Sequence, residues 1–275
     1  MIKEKIAIIG AGNLGVSIAK GIVEKGLSVP ENITLTRRNS QALAEFSEAG
    51  FNTSSQNIEA VKSAQIIILC VQPNQLNIVI KEIKAALNES HVLISVITGI
   101  SIAHIQDQIG NDIPFIRAMP NTAIAIGESM TCISATGESR KSLPLTELLF
   151  ATLGKTLVIE EELMQAATVL GASGIAFFMR YLRAATQGGI QMGFDAKDAQ
   201  LIAVQTAKGA ATLILEHDSH PEVEIDKVTT PQGCTIEGLN EMEHKGFSSA
   251  LIQGIMTSFQ RITKMKGTEI KTEQS

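Results

Sequence analysis

The feature that most constrains this chain is the run from Ile6 to Gly15, IAIIGAGNLG, in which an apolar segment ends in glycines. Because apolar residues at helical spacing follow it, the run predicts a strand, a tight turn and a helix start. Gly10 would supply the turn's dihedrals, Gly12 would let a pyrophosphate approach the backbone, and Gly15 would let the helix pack closely on the strand. The helix's free amides and its dipole favour an anion at the same spot. The run therefore predicts a dinucleotide site, with a merely glycine-rich loop as the alternative.

Length, charge and cysteine usage narrow the class of protein. A chain of 275 residues fits one large domain or two smaller ones, and two are favoured here. The formal charge of -5 offers no basic stripe for a nucleic acid, so small molecules are the expected partners. Three widely separated cysteines indicate neither a disulfide framework nor a zinc site, and they favour a reducing cytoplasm. The longest apolar run, Ile66 to Val71, is too short to span a bilayer, so no membrane partner is expected.

The residues after the second expected strand bear on the choice of cofactor. In dinucleotide folds the side chain at this place, about 20 residues beyond the glycines, meets the adenosine ribose. After the strand at 33–36 the chain offers Arg37, Arg38 and Asn39 instead of an acidic residue. Guanidinium groups make paired, charge-assisted hydrogen bonds with phosphate, so these residues predict NADPH, with NADH as the alternative cofactor. In the alternative interpretation, one or both arginines are solvated surface residues that do not contact the cofactor.

Apolar runs of strand length alternate with helical patterns as far as residue 159, and helices are expected at 40–50 and 57–64. This alternation predicts an α/β fold with a doubly wound, mostly parallel, Rossmann-like sheet. Ligands of such sheets lie beyond the carboxyl ends of the strands, which puts Val71, Gln72 and Pro73 beside the cofactor, unless they form an ordinary turn. Further strands are expected at 66–71, 92–97, 113–119, 130–134 and 155–159.

Asn121 follows the expected strand at 113–119 and is a second candidate at this edge of the sheet. Its two-sided amide would be able to hold a nicotinamide carboxamide or to order a water molecule. The alternative is a turn residue whose side chain bonds its own backbone.

The character of the sequence changes at Glu160, after which the apolar spacing is helical. We therefore expect an NADP-binding domain at 1–160 and a helical substrate-binding and dimerisation domain at 161–275. The helix expected at 175–192 is apolar on more than one side, which calls for a second partner. The helix expected at 196–216 is rich in Ala and Gly and suits close packing. A homodimer with interlocking helices is predicted, with one compact monomeric bundle as the alternative.

The chemistry of the second half is expected at 228–235, a turn that leads into a helix starting near Ile236. Free amides at Gly233, Cys234 and Thr235, with the helix dipole behind them, would bind a substrate carboxylate. The hydroxyls of Thr230 and Thr235 would orient a neighbouring nitrogen. The alternative for Thr235 is a plain helix N-cap.

Taken together, these segments resemble the pyrroline-5-carboxylate reductase family, and the resemblance covers nearly the whole chain. The family makes proline by NADPH-dependent reduction of a cyclic imine. The Val228–Thr235 segment is the most specific, since it is similar to the family's proline-and-glycine turn with terminal threonines. The other segments that carry the resemblance are GAGNLG at 10–15, Asn57 with Glu59-Ala60-Val61, RAMPNT at 117–122, and Gln205-Thr206 with Gly209-Ala210-Ala211.

The resemblance implies roles for individual residues. The substrate, 1-pyrroline-5-carboxylate, would be held by Thr230, Gly233, Cys234 and Thr235, together with Asn121. The family also suggests homodimers through the helical domain, often assembled into larger rings. NADPH would be held by Gly10, Ala11, Gly12, Asn13, Leu14, Gly15, Arg37, Arg38, Asn57, Val71, Gln72, Pro73, Met119, Pro120 and Asn121.

The sequence departs from the family pattern near the expected site. Gln72 stands where the family usually has Lys, Ala123 where it has Pro, Gln232 where it has Gly, and Cys234 where it often has Thr or Ala. The segment at 174–177 likewise reads Gly-Ile-Ala-Phe instead of Gly-Pro-Ala-Tyr. A side chain at Gln232 would narrow the pocket, and the lost Lys removes a charge beside the cofactor. The departures bear on substrate and rate more than on the fold.

In the expected mechanism, hydride passes from NADPH to the imine carbon while Thr235 hydrogen-bonds the ring nitrogen. A protonated imine is already electrophilic, so positioning and charge complementarity supply much of the acceleration without a catalytic His or a metal. An alternative is an NADPH-binding regulator that has lost activity, motivated by Gln72, Gln232 and Cys234. A β-hydroxyacid dehydrogenase is less favoured, because its acid-base Lys is replaced after Gly174 by Phe177 and Phe178.

Overall fold

The structure is a computed structural model that describes residues 1–110 and 113–272. Contacts group the chain into two compact units. The first contains Met1–Ser173 and also takes in the chain from Arg261 onward, and the second is Gly174–Gln260. The predicted division at residue 160 follows the change from strands to helices, whereas the contacts separate the units within the helical part.

The first unit is built on an eight-stranded sheet of order β3-β2-β1-β4-β5-β6-β7-β8. Strands β6 and β7 pair antiparallel, and the other neighbours that the structure describes pair parallel. This confirms the predicted mostly parallel, doubly wound fold. The order reverses direction between β1 and β4, which is the place where such sheets open a crevice. The strands are β1 (Ile6–Ile9), β2 (Ile33–Thr36), β3 (Asn52–Ser54), β4 (Ile66–Leu69), β5 (Val92–Ser95), β6 (Phe115–Met119), β7 (Ser129–Ala135) and β8 (Gly154–Val158).

Helices cover both faces of the sheet, which explains the unbroken apolar runs of its central strands. Alternate residues of β1 point to opposite faces, so Ile6 and Ile8 join one core cluster while Ala7 and Ile9 join the other. All four residues are fully buried. The helices of this unit are α1 (Asn13–Glu24), α2 (Ala44–Glu48), α3 (Asn57–Lys62), α4 (Pro73–Ile83), α5 (Ile102–Ile109), α6 (Leu143–Ala151) and α7 (Met164–Ala167).

Two local features differ from the sequence-based expectation. The segment at 40–50, predicted as one amphipathic helix, forms a 3-10 helix at Ser40–Leu43 followed by the short helix α2. Strand β3 was not predicted, because its sequence Asn-Thr-Ser is short and polar. It lies at the edge of the sheet, where only one side needs a partner strand. Neither difference changes the order of the central strands.

A buried ion pair fixes the start of the helical region to the sheet. Arg117 of β6 is only 3% exposed, and its guanidinium donates to Glu161 at 2.9 Å. The same carboxylate oxygen accepts the backbone amide of Ile102, at the start of α5, at 3.3 Å. The neighbouring Glu160 instead pairs with Arg140 at the surface, at 2.6 Å. Breaking a buried pair leaves an uncompensated charge, so Glu161 contributes far more to the position of this segment than Glu160 does.

The helical region continues through a π-helix at Thr168–Ser173. This part of the chain contains the small residues at 171–174, whose composition suits a bend or a close crossing of two helices. The helix is wider here, because a π-helix has more residues per turn than an α-helix. The Thr168 hydroxyl donates to the Met164 carbonyl at 2.7 Å, and the Thr168 backbone amide donates to the same carbonyl. Such π-helical turns are frequent at functional sites.

The second unit consists of helices. Helices α8 and α9 pack closely, since a Cβ atom built on Gly189 would lie 2.9 Å from the Ala199 Cβ. Large apolar side chains of both helices, among them Phe178, Met179, Ile190 and Leu201, are exposed in the single chain. The helices are α8 (Gly174–Gln191), α9 (Ala196–His217), α10 (Pro221–Val228), α11 (Cys234–His244) and α12 (Phe247–Thr272), the last of which extends into the first unit.

One helical run, Glu161–Gln191, is long and apolar enough to cross a membrane by length and composition alone. Its mean hydropathy reaches 1.3, and only 17% of that apolar window is buried within the single chain. The sequence-based search for an unbroken apolar run missed this segment, because small and polar residues interrupt it. Buried helices of water-soluble assemblies have the same composition, so the run by itself indicates only an apolar surface that has to be buried against another partner.

Candidate functional site

A cavity of about 410 Å³ lies at the carboxyl ends of β1, β2 and β4, where the strand order reverses. It brings together the glycine turn, the two arginines after β2, Asn57 and the residues after β4. The sequence did not indicate Thr36, Gln75 or Val79, although Thr36 ends a strand at the same edge. The lining residues are Gly10, Ala11, Gly12, Thr36, Arg37, Arg38, Asn39, Asn57, Cys70, Val71, Gln72, Gln75 and Val79.

Backbone hydrogen bonds hold the glycine turn against the end of β2. The amides of Gly10 and Ala11 donate to the carbonyl of Thr36 at 3.2 and 2.8 Å. Gly10 has φ +95°, and a Cβ atom there would lie 2.7 Å from Val71 Cγ1. Glycine is required at this position both for its backbone conformation and for its lack of a side chain.

The other two glycines of the turn serve different purposes. A Cβ atom on Gly15 would lie 2.9 Å from the carbonyl oxygen of Gly10 and 3.0 Å from Ile8 Cγ2, so Gly15 allows α1 to pack on β1. A Cβ atom on Gly12 would have no described atom within 4 Å, since this position faces the cavity. The free space over Gly12 is the space that a pyrophosphate would need.

The amino end of α1 is available to an anion. Gly12 is its N-cap, and within the described part of the chain no side chain caps it and no acidic residue occupies its first turn. The free amides of the first turn therefore belong to Asn13, Leu14 and Gly15. Arg37 and Arg38 are both exposed at the rim of the same cavity. An anionic ligand would thus meet positive ends of backbone dipoles and two guanidinium groups.

Asn57 lines the cavity from the first position of α3. Its Oδ1 accepts a hydrogen bond from the Thr36 hydroxyl at 2.7 Å, and its Nδ2 donates to Glu82 at 2.9 Å. Glu82, on α4, had no signal in the sequence that would have linked it to this site.

The residues after β4 form the far wall of the cavity. Pro73 is the first residue of α4, and the Gln72 amide donates to the side-chain oxygen of Gln75 at 3.4 Å. Cys70 lies beneath Gly10, and burial raises the pKa of its thiol, so it stays protonated. Val71 and Gln72 line the cavity together with Cys70, whereas Pro73 does not.

Met119 ends β6 and Pro120 and Asn121 follow it, and none of the three lines this cavity. Met119 and Pro120 are buried. Asn121 Oδ1 accepts the Ala123 amide at 3.0 Å, and its Nδ2 donates to the carbonyl of Gly171 in the π-helix at 3.2 Å. The side chain therefore acts as a turn residue and also ties this loop to the π-helix, which leaves one amide proton for a ligand.

The turn expected to bind the substrate carboxylate joins α10 to α11 in the second unit. Thr230, Cys234 and Thr235 are exposed there. A Cβ atom on Gly233 would collide with Thr230 Oγ1, so this glycine lets the threonine hydroxyl lie against the helix end. Gln232, where the family pattern has Gly, adopts φ +59°, a conformation that costs a non-glycine residue about 1 kcal/mol.

Two sequence-based details of this turn are wrong. Gly233, not Thr235, is the N-cap of α11, because its backbone is extended with φ -78° and ψ 157° and the helix begins at Cys234. The Gly233 amide is not free, because it donates to the Thr230 carbonyl at 2.9 Å. The amides of Cys234 and Thr235 lie in the first helical turn, which no described side chain caps.

Residues 1–110 and 113–272 contain no group of three or more His, Cys, Asp or Glu side chains able to hold a metal ion. His91, the most buried histidine, has a structural role, since its ring accepts the Asn88 amide at 2.9 Å. The cavity and the turn at 229–235 therefore present backbone amides, hydroxyl groups and guanidinium groups as their chemistry.

Two family profiles match the chain. One, described as "Pyrroline-5-carboxylate reductase dimerisation", matches residues 161–265, and the other, "NADP oxidoreductase coenzyme F420-dependent", matches residues 5–99. The first covers the helical region and the second covers the glycine turn, both arginines and the residues after β4.

Similar proteins are found among curated sequences and solved structures. Pyrroline-5-carboxylate reductase 2 of Dictyostelium discoideum is 46% identical, over 95% of this chain and 93% of that protein. Pyrroline-5-carboxylate reductase 1 of the same organism is 48% identical over 92% of this chain, and the chain spans about half of its length, 48%. A pyrroline-5-carboxylate reductase structure from Coxiella burnetii superposes with a TM-score of 0.89 at 25% identity, covering 96% of this chain and 98% of that one.

The different roles of Gly12 and Gly15 give a testable prediction. Gly15→Ala should lower the free energy of unfolding by about 1–3 kcal/mol, because its Cβ meets backbone that cannot move aside. Gly12→Ala should leave stability within about 0.5 kcal/mol of the unsubstituted chain, yet raise the Kd for NADPH at least about tenfold by filling the cavity floor. Urea denaturation and NADPH fluorescence titration measure the two effects. Equal loss of stability in both variants would contradict the assignment.

Proposed function

This chain belongs to the pyrroline-5-carboxylate reductase family, and from that premise we propose that it reduces 1-pyrroline-5-carboxylate to proline with NADPH. The observation that carries the proposal is the cavity at the reversal of the sheet, where an uncapped helix end, a side-chain-free Gly12 and two arginines meet. Relatives that share 46% or more of their residues with this chain bear the corresponding enzyme name.

The cavity fits a phosphorylated dinucleotide. When bound, NADPH supplies the hydride that reduces the imine carbon. The first-turn amides of α1 would bind the pyrophosphate over Gly12, and Arg37 and Arg38 would bind the 2'-phosphate through paired hydrogen bonds. The NADP oxidoreductase profile spans these same residues. Asn57, Val71 and Gln72 would contact other parts of the cofactor from the cavity wall.

We propose that the other residues predicted to bind NADPH contact it from positions next to the cavity or outside its lining. Asn13, Leu14 and Gly15 offer first-turn amides, and Pro73 starts α4, the helix whose Gln75 and Val79 line the cavity. Met119 ends strand β6, and Pro120 and Asn121 start the loop that follows it. Since most of the Asn121 amide is bonded within the protein, its proposed contact with a nicotinamide or with substrate uses the one remaining amide proton.

The turn between α10 and α11 is the proposed substrate site. The amides of Cys234 and Thr235 would bind the carboxylate at the helix end, with the dipole of α11 behind them. The hydroxyl of Thr230 lies against that helix end, and the Gly233 amide holds the turn closed through the Thr230 carbonyl. Thr235 would hydrogen-bond the ring nitrogen and hold the imine carbon in position for reduction.

The reaction is tested by steady-state assay of the purified protein with 1-pyrroline-5-carboxylate and each reduced cofactor. Turnover should be faster with NADPH than with NADH. Thr235→Ala should lower kcat/KM at least about tenfold, because a hydrogen bond to the reacting ring is lost, while Thr235→Ser keeps the hydroxyl and most of the activity. Normal kcat/KM in Thr235→Ala would disprove the role of this hydroxyl. Binding of NADPH without turnover would favour the regulatory homologue, and oxidation of 3-hydroxy acids would favour a β-hydroxyacid dehydrogenase.

The arginines give a separate prediction about cofactor choice. Replacing Arg37 and Arg38 together by alanine should raise the KM for NADPH about tenfold or more, because the contacts of the 2'-phosphate are lost. The KM for NADH should change less than about twofold, since NADH lacks that phosphate. Lys155→Ala and Lys197→Ala, which remove exposed cations outside the cavity, serve as controls. An equal rise in both KM values would contradict the assignment.

We also propose that the helical region forms a homodimer, with a larger ring as a further level of assembly. The dimerisation profile at 161–265 covers the exposed apolar faces of α8 and α9 and the apolar run that ends at Gln191. A partner subunit, instead of lipid, would cover this surface. The cytoplasmic location and the functional division of the chain at residue 160 stay predictions.

Light scattering checks the dimer. The measured mass should be at least twice the 29.4 kDa of one chain. A double variant, Met179→Asp with Leu201→Asp, should shift the protein toward the monomer, because it places charges in an apolar contact. Ile126→Asp is the control, since Ile126 is an apolar side chain that is at least as exposed as Met179 and Leu201 but lies in the first unit. A monomer mass for the unsubstituted chain would contradict the proposal.

A further inference from the structure

We propose that Glu82 is a positioning residue for the cofactor, which acts by fixing the side-chain amide of Asn57 at the cavity wall. The inference rests on the proposed use of NADPH and extends it to a residue outside the cavity lining. It follows from a series of hydrogen bonds that joins α4, α3, β2 and the glycine turn.

The placement of Glu82 follows from the periodicity of α4. Gln75 and Val79 line the cavity, and Glu82 lies on the same helix face one turn further along. Asn57 starts α3, and its Nδ2 donates to Glu82 Oε2 at 2.9 Å. Glu82 is partly buried, so solvent does not fully screen this charge-assisted bond.

Glu82 determines which way the Asn57 amide faces. A carboxylate only accepts hydrogen bonds, so the NH2 group of Asn57 must point toward it and the Oδ1 atom away from it. Oδ1 accordingly meets the Thr36 hydroxyl, which donates to it at 2.7 Å. The oxygen of that hydroxyl accepts the Gly10 amide at 3.4 Å, at the first glycine of the turn. The orientation of one amide is thus linked to the backbone that would hold the pyrophosphate.

Thr36 alone would not set this orientation. A hydroxyl both donates and accepts, so it would bond either end of the Asn57 amide. Without the carboxylate, the amide would be free to rotate, and the remaining proton of Nδ2 would no longer be held toward a ligand in the cavity. We therefore expect the loss of Glu82 to weaken cofactor binding in the ground state and the transition state alike, which changes KM more than kcat.

The test measures NADPH binding by fluorescence titration of the full chain. Glu82→Ala should raise the Kd about tenfold, as the loss of a hydrogen bond to a charged group implies, with kcat at saturating NADPH within about twofold. Glu82→Gln keeps an acceptor oxygen and should restore the Kd to within about threefold. Glu59→Gln, which removes an exposed carboxylate of α3 that pairs with Lys62, should have no effect.

A double-mutant cycle decides whether Glu82 acts through Asn57. In an Asn57→Ala background, Glu82→Ala should cause no further change in the Kd. A Kd within twofold of the unsubstituted protein in Glu82→Ala, or the same tenfold loss in both backgrounds, would overturn the inference. If Glu82→Ala does not fold, Glu82→Met, which keeps a similar side-chain volume but has no acceptor oxygen, gives the same comparison in the two backgrounds. Binding of NADPH without reduction of the imine would disprove the proposed reaction only, whereas failure of the unsubstituted chain to bind NADPH would disprove both.

Discussion

The two hydrogen bonds from the amides of Gly10 and Ala11 to the Thr36 carbonyl are the constraint on which the rest of the site depends. They turn the chain sharply at the end of β1 and keep it against β2. Gly15 then lets α1 lie directly on the sheet, so its uncapped amino end points over the edge where β1, β2 and β4 finish. The other lining residues of the cavity lie at or after the ends of the neighbouring strands, or in the helices that follow those strands.

In the first unit, the side chains that position the loops around the cavity are different from those that hold the sheet and its helices together. The two core clusters of the first unit consist of apolar side chains from isoleucine-rich strands and from the helices on both faces of the sheet. Polar contacts at the functional edge lie at or after strand ends, where Thr36, Asn57 and Asn121 each use the side chain to fix a loop. A buried pair of charges, Arg117 and Glu161, holds the first helical segment to the sheet. Loops at the functional edge are therefore positioned by specific bonds, whereas the scaffold is held by apolar packing.

Much of the fold was predictable because its signals are local. The apolar run at 66–71 predicted a strand covered on both faces, which the structure places at 66–69, and the spacing of glycines at 10–15 indicated the turn. The polar edge strand β3 had no such signal, and the start of α11 was misplaced because Thr235 looked like a cap while Gly233 is the residue with extended backbone. The link between Glu82 and Asn57 joins residues 25 positions apart. Such a contact depends on how α3 and α4 pack, which no pattern within either helix reveals.

The path of the last helix has a consequence for how the chain acquires its structure during synthesis. Helix α12 starts in the helical unit, but from Arg261 onward it belongs to the unit built by the beginning of the chain, where Thr263 bonds Gln165 at 3.3 Å. A protein emerges from the ribosome amino end first. The sheet can therefore form early, yet its unit gains the helical segment from Arg261 onward only after the intervening residues Gly174–Gln260 have been translated. The residues that line the cavity are thus synthesised before the second unit, whereas the last segment that packs in the same unit is synthesised after it.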